Sequence, residues 1–181
     1  GLHASGAWDR PRGDNLLDGG APFYDTYETA DGRWVSLGAL EPKFFAEFSR
    51  LAGLDPRFQT CQYDRSEWPA LRSEIGALFK SRTRDAWCAL LEGSDACFAP
   101  VLDFDEAPRH AHARSRNAFV SIDGVAQPAP APRFDRSLAD APRRAPRRGE
   151  NTREVLTEAG FDHARIDALL AAGDALQADQ P

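Results

Sequence analysis

The feature that most constrains the fold is the stretch from residue 21 to residue 40, which has the pattern of a β-hairpin. Its first arm, residues 23–29, is rich in aromatic and β-branched side chains, which suit a pleated surface. Asp31 and Gly32 follow, and both residue types accept the positive φ angles of tight hairpin turns. In the return arm, residues 33–37, the side chains follow the alternating pattern of a strand. The sequence therefore predicts two antiparallel strands joined by a tight turn.

A helix is predicted directly after this hairpin. Pro42 suits a first helical position, where its missing N–H costs nothing. Apolar residues then recur on one helical face as far as Leu51, and Gly53 ends the pattern. Two further helices are expected, one capped by Ser66 and one capped by Thr83.

Other segments carry weaker patterns. Residues 97–102 form a short apolar run that suits a buried strand, and Pro100 would confine that strand to a sheet edge. A short helix is predicted around residues 105–114. A second Asp-Gly turn lies inside residues 119–127 and predicts a second hairpin.

The composition changes after residue 127. Five prolines fall between residues 127 and 148, which cannot sustain a helix or a central strand, so an extended surface linker is expected. Helical patterns return after Asn151, and the residues after Gly173 are expected to fray. The sequence thus predicts an α+β fold with antiparallel hairpins packed on helices, in these parts: a connecting arm (1–20), a small α+β domain (21–127), a Pro/Arg-rich linker (128–150), a C-terminal helical segment (151–173) and a tail (174–181).

Composition excludes several classes of protein. The net charge of −6 argues against general affinity for nucleic acid or anionic membrane. No apolar run approaches the length of a membrane span, and no signal-peptide pattern opens the chain, so a cytoplasmic location is expected. The three cysteines lack metal or redox spacing and are expected to be reduced. The chain has no methionine and is expected to begin inside a longer protein.

Glu41 is the residue whose position is most suggestive of chemistry. It stands immediately before Pro42, where free N–H groups and the helix dipole stabilise an ionised carboxylate. One interpretation is an anionic group held rigidly between a strand and a helix, ready to orient a base or share a proton. The other is an ordinary glutamate at a helix N-terminus, and local spacing favours this second interpretation.

The remaining candidates are weaker. His110 and His112 form an H-x-H pair, but on a helix they would point to different faces, and no third ligand follows at metal-site spacing, so no metal site is expected. Phosphate-binding loops and nucleophile elbows are absent from the sequence. The arginines between Arg133 and Arg153 could meet the phosphates of a nucleotide or CoA, or acidic protein surface. The residues alone do not name a reaction.

Several blocks of sequence nevertheless resemble the alpha-methylacyl-CoA racemase branch of the class III CoA-transferase superfamily. The resemblance runs from about residue 12 to residue 160 and is strongest around the first hairpin and the Gly-Ala-Leu-Glu-Pro motif. The matching blocks are residues 18–27, 30–34, 38–45, 83–87, 95–102, 127–134 and 149–156.

This resemblance implies a fold, a partner and a reaction. Family members are about twice as long and form interlocked dimers, in which a Rossmann-like large domain binds CoA and a smaller α+β domain closes the active site from the partner subunit. The chain is similar to that small domain with its C-terminal arm, and it lacks the Rossmann-like half. The racemases epimerise the 2-methyl centre of branched acyl-CoA thioesters through an enolate, without a metal or redox cofactor.

The resemblance also implies site residues. The family's catalytic histidine and aspartate belong to the missing half, and no residue of this chain matches them. Its active-site glutamate matches Glu41, which reverses the preference for the helix-end interpretation. Tyr24 and Leu40 become candidates for lining the acyl pocket.

Three functional hypotheses stay open. The first is part of an acyl-CoA racemase that is inactive as an isolated chain. The second is part of a CoA-transferase that moves CoA between carboxylates through an aspartyl-CoA intermediate. The third is a truncated domain that folds or docks without doing chemistry.

Overall fold

A three-stranded antiparallel sheet organises the first part of the chain. The computed structural model describes residues 1–8, 10–137, 139–140 and 142–178, and it divides the chain into two units, residues 1–106 and 107–181. In the first unit, β1 (Tyr24–Glu28) pairs with β2 (Trp34–Gly38), and β2 pairs with β3 (Phe98–Val101). The first predicted hairpin is confirmed. The third predicted strand also forms, at a sheet edge, where Pro100 interrupts no central ladder. The expectation that this strand is buried was wrong, since its residues are half-buried or exposed.

Three helices accompany the sheet: α1 (Pro42–Ala52), α2 (Trp68–Lys80) and α3 (Arg84–Leu91). Helix α1 begins at Pro42 as predicted, and Gly53 ends it with a left-handed φ of 76°. The Thr83 hydroxyl caps α3 by accepting a hydrogen bond from the Ala86 amide at 3.3 Å.

The predicted cap of α2 was wrong. Both the amide and the hydroxyl of Ser66 donate to the carboxylate of Asp64, at 3.0 and 2.6 Å. This turn occupies the polar atoms of Ser66 before the helix begins. Helix α2 therefore starts two residues later, at Trp68.

Aromatic rings fill the core between the sheet and the helices. Phe79 of α2 is fully buried and lies near the centre of this cluster. Its ring centroid is 5.2 Å from that of Trp87, 5.4 Å from Tyr27 and 5.8 Å from Phe48. The Trp87 indole also donates a hydrogen bond to the Phe79 carbonyl at 3.0 Å, so the buried N–H is satisfied.

The two faces of the sheet differ in exposure. Tyr27, Val35 and Leu37 point into the core and are at most 6% exposed. On the opposite face, Tyr24 and Trp34 are 37% and 46% exposed. One face of the first unit's sheet therefore remains open within the part of the chain that the structure describes.

An ion pair between a buried arginine and a partly exposed glutamate joins α3 to the segment after β3. The Arg84 guanidinium is 7% exposed and donates to both carboxylate oxygens of Glu106, at 2.6 and 2.8 Å. It also donates to the Val101 carbonyl at 2.9 Å. These hydrogen bonds from Arg84 lower the pKa of Glu106 to about 2, and the Asp103 amide adds to the effect.

Acid is expected to weaken the first unit between about pH 4.5 and about pH 2 through this pair. Unfolded, the Glu106 carboxyl takes up its proton near its ordinary pKa, whereas in the folded chain it stays ionised to about pH 2. The stabilisation from Glu106 is therefore complete above its pKa in the unfolded chain. It is lost as the pH falls through its pKa in the folded chain.

Urea unfolding across this pH window tests the expectation. The Arg84→Met variant should be less stable near neutral pH and should show a flatter loss of unfolding free energy in acid. The half-exposed Arg33, which also contacts Glu106 at 3.0 Å, provides the control, and Arg33→Met should keep most of the acid dependence. Equal acid slopes in Arg84→Met and the parent chain would contradict this assignment.

Among its described residues, the second unit has a two-stranded hairpin and three α-helices. Strands β4 (Phe119–Ile122) and β5 (Val125–Pro128) form the second predicted hairpin, which is confirmed. The predicted helix around residues 105–114 is shorter and split, with a 3-10 turn at Ala107–Arg109 and α4 at Ala111–Ser115. Its other helices are α5 (Thr152–Glu158) and α6 (His163–Ala172).

The end of the described chain is more ordered than the sequence suggests. The prediction that residues after Gly173 fray was wrong as far as Ala178. The Ala178 amide donates to the Gly149 carbonyl at 2.9 Å, and the Thr152 hydroxyl donates to the Leu176 carbonyl at 2.6 Å. Residues 179–181 of the predicted tail lie outside the described residues.

The mixture of antiparallel strands and helices confirms the predicted α+β fold class. Described residues between 129 and 148 form neither helix nor strand, and the predicted linker and domain boundaries stay predictions. No helix in the described ranges combines the length and the apolar character that crossing a membrane requires.

Candidate active site

Glu41 occupies the junction between β2 and α1. Its backbone is extended, with φ −72° and ψ 139°, and it takes the N-cap position of α1. Its side chain is exposed and makes no capping hydrogen bond. The carboxylate therefore does not act as a helix cap, although the helix dipole still favours its negative charge.

A later loop holds the backbone that precedes Glu41. The side-chain amide of Gln62, which is 4% exposed, donates to the carbonyls of Ala39 and Leu40, at 3.0 and 2.9 Å. The Tyr63 hydroxyl donates to the same Leu40 carbonyl. The junction is thus fixed by groups more than twenty residues away in the sequence.

An open groove of about 500 Å³ lies on the exposed face of the first sheet. Its floor is formed by residues of all three strands, and its rim includes residues from the loops before β1 and β3. The side chains and glycine that define it are Asp18, Tyr24, Thr26, Ser36, Gly38, Cys97 and Ala99.

The structure separates the three residues predicted for the site. Tyr24 lines the groove, and its ring covers Gly38 on the neighbouring strand, 3.8 Å from the position that a Cβ would take. Leu40 is half-buried and packs against the core cluster instead of joining the lining residues of this groove. The substrate-binding roles of Tyr24 and Leu40 stay predictions.

The charge of Glu41 reaches the rim of the groove. Burial raises the pKa of the Cys97 thiol, and the negative charges of Glu41 and Asp95 raise it further, against a smaller opposing effect of Lys43. The pKa of Tyr63 is raised by burial and then by Glu41. The negative charge of Glu41 therefore acts on both side chains, and one of them, Cys97, lines the groove.

A second carboxylate, that of Asp18, also lines the groove. Burial alone would raise its pKa, but hydrogen bonds from the side chain and amide of Asn15 and from the Gly13 amide outweigh that effect and lower it. Nearby, the Arg72 guanidinium pairs with Asp25 and donates to the Gly19 carbonyl at 2.6 Å. The groove therefore carries fixed negative charge next to an apolar sheet surface.

The other candidates do not join this groove. Among the described residues, no histidine lines it, and no three or more histidine, cysteine or acidic side chains are grouped to hold a metal ion. Two arginines of the basic segment have acidic partners in their own unit, since Arg144 pairs with Glu150 and Arg153 pairs with Asp167 at 2.7 Å.

Sequence reasoning missed Gln62, Tyr63 and Cys97 as parts of this site. Gln62 and Tyr63 lie in a loop without periodicity, so only a long-range contact reveals their role. Cys97 begins the apolar run that predicts β3 and directly precedes that strand, but nothing in the run indicates that the residue lines a groove. Its φ of 50° is unusual for a non-glycine residue.

Comparison with known proteins identifies the family of the chain. The family model for CoA-transferase family III matches residues 3–152. The alpha-methylacyl-CoA racemases of Mus musculus and Homo sapiens are 43% and 39% identical over 164 residues, which cover 89% and 90% of this chain. The chain spans only 43% of the length of each of these two relatives.

A solved structure has a similar fold. A CaiB/BaiF family protein from Brucella suis superposes with a TM-score of 0.63 at 20% identity, over 87% of this chain and 42% of that chain. Since the family model covers most of the chain and the two racemases match it almost throughout, this chain belongs to CoA-transferase family III.

Proposed function

We propose that the chain is the C-terminal part of an acyl-CoA racemase, which epimerises the 2-methyl centre of branched acyl-CoA thioesters through an enolate. The observation that carries this proposal is the exposed Glu41 carboxylate, held at a fixed junction beside an open groove and not engaged as a helix cap. The similarity to two racemases supports the choice of reaction within the family.

The proposed reaction needs two proton transfers at one carbon. The thioester carbonyl delocalises the charge left when the α-proton departs, so a base can remove that proton without a metal or redox cofactor. A protonated group on the opposite face then returns a proton to the enolate and inverts the centre. In the proposed enzyme a histidine and an aspartate outside this chain perform these transfers.

Glu41 is proposed to assist these transfers. A carboxylate near the positive end of the α1 dipole stays ionised at low cost, so it can accept a hydrogen bond from the base and stabilise its protonated form. Tyr24 is proposed to line the acyl pocket from the sheet, whereas Leu40 supports the junction from the core side. The partners would be the acyl-CoA substrate and the CoA-binding half, within an interlocked dimer.

Deuterium exchange tests this proposal. The chain would be fused to the N-terminal portion of the mouse racemase, and wash-in of deuterium at the α-carbon of a 2-methylacyl-CoA would be followed by mass spectrometry. We expect exchange by the fusion and none above buffer by the chain alone, because the proposed bases lie in the other half. Exchange by the chain alone would refute the inactive-fragment part of the proposal.

The alternative within the family is a CoA-transferase, and the same proteins distinguish it. A transferase would move CoA from an acyl-CoA donor to a free carboxylate acceptor through an acyl-enzyme anhydride and an aspartyl-CoA thioester. Transfer to an added carboxylate without α-proton exchange would favour this alternative. If the fusion folds and shows neither activity, the non-catalytic hypothesis is favoured.

A further inference from the structure

The backbone just before Glu41 is held by several hydrogen bonds, whereas the Glu41 side chain does not cap the helix. Within the described chain, the Glu41 carboxylate makes no capping hydrogen bond at the start of α1. By contrast, the carbonyls of the two preceding residues accept three side-chain hydrogen bonds, two of them at 3.0 and 2.9 Å. The position from which the Glu41 side chain extends is therefore set through the backbone.

The donors of these hydrogen bonds are themselves anchored. The Gln62 carbonyl accepts a hydrogen bond from the Trp68 indole at 2.9 Å, and the Gln62 side chain is buried. The Tyr63 ring meets the buried Phe23 ring edge-to-face, with centroids 5.3 Å apart. A half-exposed tyrosine and a buried glutamine thus connect the junction to the start of α2 and to the core.

The junction is also held from its other side. The Gly38 amide donates to the Cys97 carbonyl at 2.8 Å, and the Leu40 amide donates to the Gly38 carbonyl at 2.9 Å. The backbone of the four residues before Pro42 therefore has little freedom to move. If the carbonyls of Ala39 and Leu40 moved, the buried side-chain amide of Gln62 would lose its hydrogen-bond acceptors, which costs free energy.

We propose that Gln62 and Tyr63 are positioning residues, which fix the backbone of residues 39 and 40 and so aim the Glu41 carboxylate at the groove. This inference deepens the proposed function and rests on the assistance that Glu41 gives there. Positioning of this kind matters because displacement of a catalytic group by about 1 Å costs up to about 100-fold in rate.

Cys97 offers a readout that needs no enzymatic activity. Its thiol is exposed at the groove rim and lies within reach of the Glu41 charge, so its rate of alkylation reports where that charge is. Iodoacetamide would be reacted with the chain at about pH 8, where a thiol gives a measurable thiolate fraction. Cys88, whose pKa is raised by burial and by Glu92 without a contribution from Glu41, serves as the reference thiol.

The experiment compares Glu41→Gln with its parent in three backgrounds: unchanged, Tyr63→Phe and Gln62→Met. In the unchanged background, Glu41→Gln should speed alkylation of Cys97 about twofold, the effect of one interaction between exposed charges. In the other two backgrounds this ratio should fall toward one, because the carboxylate is no longer held near the thiol. Tyr63→Phe keeps the ring against Phe23 and removes only the hydroxyl, so it separates positioning from packing.

Two results would overturn the inference. One is a ratio that stays about twofold in both altered backgrounds, which would show that neither side chain fixes the carboxylate. The other is a ratio of one in the unchanged background, which would show that the carboxylate is not held near Cys97 at all. Near-UV circular dichroism of each variant would confirm that it is folded.

The fusion protein separates this inference from the proposed function. Tyr63→Phe should lower kcat for α-proton exchange by about five- to tenfold and leave KM nearly unchanged, as expected for a misplaced catalytic group. If exchange is lost in Glu41→Gln but kept in Tyr63→Phe and Gln62→Met, the positioning role is refuted and the role proposed for Glu41 is not. Unchanged exchange in Glu41→Gln would refute the role proposed for Glu41, whatever the alkylation rates show.

Discussion

Replacing Phe79 with alanine is expected to lower the free energy of unfolding of the first unit by about 3–5 kcal/mol. Phe79 is fully buried, and its ring contacts rings from β1, α1, α3 and β3. Truncation would remove the transfer free energy of the ring and leave a cavity that four different elements cannot close together. The loss should therefore fall at the upper part of the usual range for core substitutions.

Phe104 offers a matched control within the same unit. Its side chain is fully exposed, so Phe104→Ala should change the free energy of unfolding by no more than about 0.5 kcal/mol. Urea unfolding followed by tryptophan fluorescence measures both variants, since Trp68 and Trp87 are buried in this core. Equal losses in the two variants would contradict the assignment of Phe79 to the centre of the core.

Local patterns were sufficient for the elements whose boundaries are set by local chemistry. The first hairpin depends on an Asp-Gly turn and on alternation, and the start of α1 depends on Pro42; the structure contains both. The start of α2 was missed because two interpretations of Ser66 compete over three residues. A serine can cap a helix or close a turn on Asp64, and the spacing of apolar residues does not distinguish them.

Long-range contacts account for what the sequence could not predict. The tail up to Ala178 is ordered because it meets Gly149, whose φ of 79° and lack of a side chain allow the Leu176 carbonyl to approach closely. Gln62 and Tyr63 reach carbonyls 22 and 23 residues away in the sequence. A contact of this kind leaves no periodic pattern, so a single sequence gives no reason to expect it.

At the candidate site, too, local patterns predict some features and leave others unpredicted. Placement of Glu41 at the mouth of a helix follows from Pro42 and the preceding strand, but helix-end glutamates are common, and a catalytic role was suggested only by the family resemblance. The structure adds that its side chain makes no capping hydrogen bond and that its charge raises the pKa of Cys97, which lines a groove. Leu40, its neighbour in the same motif, packs against the core cluster, as does the buried Ala39 before it.

Glu41→Gln in the fusion protein is expected to lower the rate of α-proton exchange about 100-fold, within the range by which general acid–base groups accelerate reactions. The substitution preserves the shape of the side chain and removes its charge, so a base that depends on Glu41 for orientation or for stabilisation of its protonated form would lose that support. Because the side chain makes no capping hydrogen bond, the free energy of unfolding should change by less than about 1 kcal/mol.

Glu47→Gln on the same helix is the control for this prediction. Glu47 pairs with Arg50 at 2.9 Å on α1, and neither residue lines the groove. Its loss should leave exchange within about twofold of the parent, since one such helix pair contributes only about 0.5 kcal/mol to stability. A low rate in Glu41→Gln together with a normal rate in Glu47→Gln would separate catalysis from helix stability. Equal rates in the two variants would instead indicate that Glu41 is only a charge at a helix N-terminus.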